Sequence, residues 1–83
     1  MSKIYARGLA GKEIVTAEGR VLGELENIIL DSETGKLIDL VVDPEPDLPR
    51  GRYRQEGKFI LVSVSSVSAL KDRIIVEEGK AQK

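Results

Sequence analysis

The chain contains no cysteine and no histidine. The first absence excludes a disulfide framework, a thiolate metal site and a thiol nucleophile. The second removes the commonest general base and the commonest transition-metal ligand. Charge of one sign is lacking too: 13 basic and 14 acidic residues leave a net charge of −1. Nothing global therefore draws the chain to nucleic acid or to an anionic membrane. No segment approaches the apolar length of a membrane span, and the N-terminal MSKIYARGLAGKE has no run long enough for a signal peptide. The expected address is the cytoplasm, with no direct membrane insertion. Proline is scarce, and its three copies all fall within residues 44–57.

What is present is a small β-rich domain. Eighty-three residues make a single unit with little core to spare, so self-association is a reasonable expectation. A hydrophobic content of 41% beside 33% charge belongs to a globular chain rather than a disordered one. Eleven of the 25 Ile, Leu and Val residues lie between Val21 and Asp43, so the core starts there. That stretch reads as two strands joined by the tight loop Ser32-Glu33-Thr34-Gly35, with Gly35 at the position that wants left-handed backbone. Residues 1–11 read as a lead-in whose Ile4, Tyr5 and Leu9 fold back on the domain. Lys12 to Thr16, Phe59 to Val64, Val67 to Leu70 and Arg73 to Glu77 supply further short strands. The expected fold is all-β, a small closed or partly open barrel of about six short antiparallel strands. The domain is 1–83, with its core at about 9–77, a mobile loop at 44–57 and a polar tail at 78–83.

The strand from Leu22 to Asp31 does not alternate cleanly. Period two puts Leu25 on one face with Asn27 and Ile29. One extra residue near Glu26-Asn27 instead aligns Leu25, Ile28 and Leu30, which is the pattern of a β-bulge. With the bulge in place, Leu25, Ile28, Leu30, Ile38, Leu40 and Val42 fill the barrel. Ile29, Leu37 and Val41 then form an apolar strip outside it, a candidate dimer or partner interface. Without it the two sets partly exchange.

Candidate chemistry is thin. Glu24, Glu26, Asp31, Asp39 and Asp43 lie on or beside the central hairpin, where alternate charges normally face solvent. No Gly-rich phosphate loop accompanies them, and Asp31-Ser32-Glu33 lacks the spacing of a calcium loop. Ser63, Ser65, Ser66 and Ser68 have no histidine to activate them, and turn polarity explains the cluster better than a Lys58 or Lys71 base. No catalytic, cofactor-binding or metal-binding residue is assigned, and no small-molecule substrate is expected. The one basic, aromatic-bearing segment is Arg50, Arg52, Tyr53 and Arg54. Its arginines share a face if the loop is extended and suit an acidic partner. RNA, with Tyr53 stacking, is the alternative, although Glu45, Asp47 and Glu56 neutralise the segment locally.

In order and spacing these elements resemble a PRC-barrel domain. The resemblance runs through Gly11-Lys12-Glu13-Ile14-Val15 and Gly19-Arg20-Val21-Leu22-Gly23-Glu24-Leu25. It continues in Ile28-Ile29-Leu30-Asp31 with Thr34-Gly35-Lys36-Leu37-Ile38-Asp39-Leu40-Val41-Val42, and in Val67-Ser68-Ala69-Leu70-Lys71-Asp72-Arg73-Ile74-Ile75-Val76. The family implies a small barrel and an adaptor role rather than a reaction. The stand-alone archaeal members, which the chain resembles most, imply a homodimer at the division site that links a SepF-like FtsZ anchor, or a second PRC-barrel paralogue, to other cell-division proteins. The branch of the family that matures ribosomes implies instead an RNA-associated factor using the Arg50–Arg54 loop.

Overall fold

The computed structural model describes residues 3–6, for the backbone alone, and 11–82. These form one sheet of eight strands: β1 (Lys3–Ala6), β2 (Glu13–Thr16), β3 (Val21–Asp31), β4 (Leu37–Pro44), β5 (Arg54–Glu56), β6 (Phe59–Ser63), β7 (Val67–Leu70) and β8 (Ile74–Val76). They run side by side as β5-β6-β4-β3-β2-β8-β7, with β1 pairing β3 off that path. The curled sheet stays open between β5 and β7, so the barrel is of the partly open kind. Eight strands replace the expected six or so. The lead-in contributes β1, which lies beside β3 from Lys3↔Asp31 to Ala6↔Ile28, and the supposed loop contributes β5. Leu9 and the side chains of Ile4 and Tyr5 lie outside the described residues. Nor is every pairing antiparallel. β2 and β8 run parallel, Ile14 beside Ile74 and Thr16 beside Val76, and so bring early and late segments of the chain together.

The bulge expected near Glu26-Asn27 is present. Leu25 faces Val42 and Asn27 faces Val41, so Glu26 has no partner across the ladder and projects to solvent. The inserted residue puts Leu25 and Ile28 on one face and bends β3 toward the closure of the barrel. A second irregularity lies on β4: Ile29 faces Asp39 and Leu30 faces Leu37, which leaves Ile38 as the extra residue. Of the expected barrel set, Leu25, Ile28, Leu40 and Val42 belong to the core cluster, while Leu30 and Ile38 are only half-buried beside this second bulge. Ile14, Leu22, Ile60, Val62, Ile74 and Val76 complete the barrel wall.

The two ends of the barrel differ. At the end where β2, β4 and β8 finish, the core is plugged by Leu48, Tyr53 and Ala81. Leu48 and Tyr53 come from the Pro- and Arg-rich segment, which holds the short 3-10 turn Arg50–Arg52 before β5. Ala81 comes from the helix α1 (Glu78–Ala81), which stands where a polar tail was expected. Two stretches that read as polar punctuation thus carry three apolar anchors between them, and burial of those anchors folds both onto the domain. At the opposite end, where β3 and β7 finish and β4 and β8 begin, no such plug exists among the described residues.

Candidate functional site

The unplugged end is a cleft of about 100 Å³ lined only by apolar side chains: Ile28, Leu37, Leu40, Val64, Val67, Leu70 and Ile74. Leu37 from β4 and Leu70 from β7 keep 50% and 58% of their surface, and they are the exposed large hydrophobic side chains among the described residues. β4 and β7 are separated in the sheet by β3, β2 and β8, so the two leucines stand on opposite lips of the opening. One lip is the β3–β4 turn. There the Asp31 carboxylate accepts from the Glu33 amide at 2.9 Å, and the Thr34 hydroxyl accepts from the Lys36 amide at 3.2 Å. The other lip is the β7–β8 turn, whose Lys71 carbonyl accepts from the Lys12 ammonium at 3.0 Å.

The expected strip of Ile29, Leu37 and Val41 is divided. Ile29 and Val41 do lie on the face away from the core cluster, beside Asp39 and Asn27 across the ladder, yet they keep only 2% and 5% of their surface. Leu37 joins the core side instead, because the extra residue Ile38 turns the start of β4 over. The exposed apolar surface therefore moves from the barrel wall to its end. Leu70 was missed as a partner of Leu37. The available signal was a leucine directly before the Lys71-Asp72 turn, where a solvent-facing position normally carries a polar group.

The four residues of the Arg-rich segment also separate. Arg50 and Arg52 lie on the exposed 3-10 turn, with Arg50 donating to the Lys58 carbonyl at 3.4 Å. Tyr53 is fully buried in the core, so its ring is not free to stack on a base. Arg54 lies on β5 and grips the carboxylate of Asp39 with both terminal nitrogens, Nη1 to Oδ2 at 3.2 Å and Nη2 to Oδ1. The Asp39 side chain is 10% exposed and that of Arg54 46%, so the pair straddles the boundary between protein and water. The bonds to Asp39 raise the Arg54 pKa above its ordinary value, against the pull of partial burial. Arg54→Ala leaves a largely buried carboxylate with one partner fewer. It is expected to cost about 1 kcal/mol, discounted for the exposed guanidinium. A double-mutant cycle with Asp39→Asn, read by urea unfolding, checks it, and strict additivity of the two substitutions would remove the coupling.

The Tyr53 hydroxyl makes no hydrogen bond among the described residues, although the Gln82 side chain is close enough to ease the ionised form. Burial, reinforced by Glu78, outweighs Gln82, Arg20 and Arg52 and raises the phenol pKa above its ordinary value. The folded state thus holds this proton more tightly than the unfolded chain does. Its stabilising effect is complete below the ordinary tyrosine pKa and is lost as pH climbs through the raised one. Wild type should therefore lose stability relative to Tyr53→Phe only above about pH 10, an alkaline divergence that urea titrations can measure.

The remaining polar groups have structural work. Ser63 caps the 3-10 turn Val64–Ser66 by accepting from the Ser65 amide, and the buried Ser66 hydroxyl donates to the Ser63 carbonyl at 2.6 Å. Ser68 donates to the Ile75 carbonyl at 3.3 Å. Glu24, Glu26 and Asp43 face solvent, Asp31 holds its turn, and Asp39 pairs with Arg54. Among the described residues no group of three or more Asp or Glu side chains converges as a metal site, and no helix is long and apolar enough to cross a membrane. Larger depressions, of about 400, 260 and 510 Å³, are rich in charged groups: Arg20, Glu45 and Asp47 in the first and Glu24, Asp43 and Glu45 in the second, both at the plugged end, and Glu13, Lys71, Asp72 and Arg73 in the third, beside the open one.

The chain is similar to an uncharacterized protein of the archaeon Methanocaldococcus jannaschii, 32% identical over 78 residues that cover 94% of this chain and 85% of the relative. The model of the PRC-barrel domain matches residues 1–83. A partly open barrel with a bulged central hairpin, matched along its whole length, places this chain in the PRC-barrel family.

Proposed function

We propose that the chain is a non-enzymatic protein–protein interaction module, a self-associating adaptor in archaeal cell division that links a SepF-type FtsZ anchor to other division proteins. The observation that carries the reading is the difference between the barrel's ends. One presents exposed Arg50 and Arg52 above a solid plug, and the other presents exposed Leu37 and Leu70 around an apolar cleft. An adaptor needs two unlike surfaces, one for each neighbour. Membership of the PRC-barrel family supports a small interaction module, and the relative from Methanocaldococcus jannaschii supports an archaeal setting.

In this reading Arg50 and Arg52 meet an acidic surface of the anchor protein. Their guanidinium groups suit carboxylates, and their place on an exposed turn lets Arg52 reach outward while Arg50 exchanges its long bond to the Lys58 carbonyl for the partner. The Arg50→Glu/Arg52→Glu variant is expected to bind a purified SepF-type anchor at least about tenfold more weakly than wild type, with an unchanged melting temperature. Isothermal titration calorimetry measures both proteins. Absence of wild-type binding at high micromolar concentration would overturn the adaptor role, and binding indifferent to the double reversal would overturn the arginine contact.

A further inference from the structure

Self-association is part of the reading above, and on that basis the structure assigns it a place: we infer that two copies of this chain join end to end through the unplugged cleft, about a two-fold axis. The occupant is argued from the charges around the opening. The β3–β4 lip carries Glu33 and Lys36, and the β7–β8 lip carries Lys71 and Asp72. All four side chains are exposed, and none forms an ion pair among the described residues. Of the neighbouring charges, Arg73 and Glu13 offset each other at 3.0 Å, Asp31 keeps its negative charge while closing the β3–β4 turn, and the Lys12 ammonium, bonded to the Lys71 carbonyl at 3.0 Å, adds a positive charge to the β7–β8 lip. The β3–β4 lip thus carries Asp31, Glu33 and Lys36 and is net negative, the β7–β8 lip carries Lys12, Lys71 and Asp72 and is net positive, and the lips flank the cleft on opposite sides.

A two-fold axis lying across the mouth brings each β3–β4 lip onto the β7–β8 lip of the second copy. Glu33 then meets Lys71, and Lys36 meets Asp72, each pairing occurring twice. Leu37 of one copy covers Leu70 of the other in the same operation, again twice. This self-complementarity is what an isologous contact requires: a patch that fits itself when rotated by half a turn. The alternative rotation sets each lip on its counterpart in the second copy and opposes net charges of like sign. The apolar centre excludes water, and the charged rim selects the register. The Arg50–Arg52 turns then lie at the two outer ends of the pair, pointing away from each other, where both can engage a partner at once.

Sedimentation equilibrium on purified chain tests this. Wild type is expected to be dimeric at high micromolar concentration, and Leu37→Asp or Leu70→Asp to weaken association by about a hundredfold. Glu33→Lys alone and Lys71→Glu alone each set like charges opposite one another and are expected to weaken it by about tenfold. Both sites are exposed turn positions, so these variants keep the fold. Mixing the two variant chains restores every opposite-charge pair, so a heterodimer of near wild-type affinity is expected from partners that separately dissociate. A monomeric wild type overturns the inference, as does a dimer indifferent to both leucine substitutions, or a mixture no tighter than its components. If wild type is monomeric and Leu70→Asp lowers the melting temperature, the cleft is covered by the chain's own residues. If wild type is monomeric and Leu70→Asp instead abolishes binding to the SepF-type anchor, the cleft serves that protein, and the adaptor role survives without the dimer. A dimer that behaves as expected but binds no anchor leaves the end-to-end contact standing and removes the adaptor role.

Discussion

Gly23→Ala is expected to lower stability by about 3 kcal/mol or more, the largest effect expected at any of the described glycines. A Cβ built at this position would lie 2.1 Å from the Asp43 carbonyl oxygen and 2.9 Å from both the Asp43 carbonyl carbon and the Pro44 Cα. All three atoms are backbone of β4, so no side chain can swing aside. Gly23 also has a φ of +156°, which disfavours a substituted residue independently of space. Relief requires β3 and β4 to separate where Gly23 faces Pro44 and Glu24 faces Asp43, and that separation propagates toward the Glu26 bulge. Thermal unfolding followed by circular dichroism should show a melting point roughly 15 °C lower, given the usual sensitivity of domains this small. Gly51→Ala is the control. Its Cβ would meet nothing within 4 Å, and its cost should stay below about 0.5 kcal/mol. Equal melting points for Gly23→Ala and wild type would mean that β3 and β4 are not pressed together at this crossing.

Tyr53→Ala should cost about 4 kcal/mol, in the range of large aromatic deletions from well-packed cores. Tyr53 is fully buried and lies in the same cluster as Leu48 and Ala81, so its ring holds the plugged end together. Removing the ring opens a cavity beneath the 3-10 turn and beneath α1, and neither element has a long regular structure to retain it. Total stability for a domain is commonly 5–15 kcal/mol, so Tyr53→Ala is expected to unfold at much lower urea concentration and to be partly unfolded at 37 °C. Tyr53→Phe separates the ring from its hydroxyl. A buried hydroxyl without a hydrogen bond costs desolvation and returns little, so the phenylalanine variant should match or exceed wild type at neutral pH, by up to about 1 kcal/mol. A large loss in Tyr53→Phe would mean that the hydroxyl is hydrogen-bonded in solution, with Gln82 the nearest candidate. The opposite pattern, a mild Tyr53→Ala, would show that the end plug contributes little to folding.

Particular residues show how much of this was legible. Glu26 announced its bulge because two polar residues interrupt an apolar run, and a polar residue on the core face has no partner there. Ile38 gave no such sign. It is as apolar as its neighbours, so slipping β4 by one residue leaves the hydrophobic pattern unchanged to the eye while transferring Leu37 from one face to the other. Tyr53 was hidden by company. Flanked by arginines in a proline-rich stretch it reads as a surface aromatic, yet the 3-10 turn before it directs the arginines outward and the ring inward. β1 was obscured by brevity, and the parallel contact of β2 with β8 by distance along the chain.

What the amino-acid sequence determined by itself was the class of the molecule: a β-rich single domain, a bulged central hairpin, the barrel-lining Leu25, Ile28, Leu40 and Val42, and a set of side chains poor in catalytic groups. These follow from period, composition and turn chemistry, which act over a few residues and so are written locally. Which end of the barrel is plugged, and which is left open with Leu37 and Leu70 exposed, was decided only by tertiary structure. The plug joins Leu48, Tyr53 and Ala81, and the open cleft joins Ile28 and Leu40 to Val64, Leu70 and Ile74. Their burial depends on strands that meet across the chain, and no local pattern encodes whether an apolar side chain will find a cover when the sheet curls. The expected interface strip shows the same limit: its leucine proved accessible, while its isoleucine and valine were covered within the chain itself.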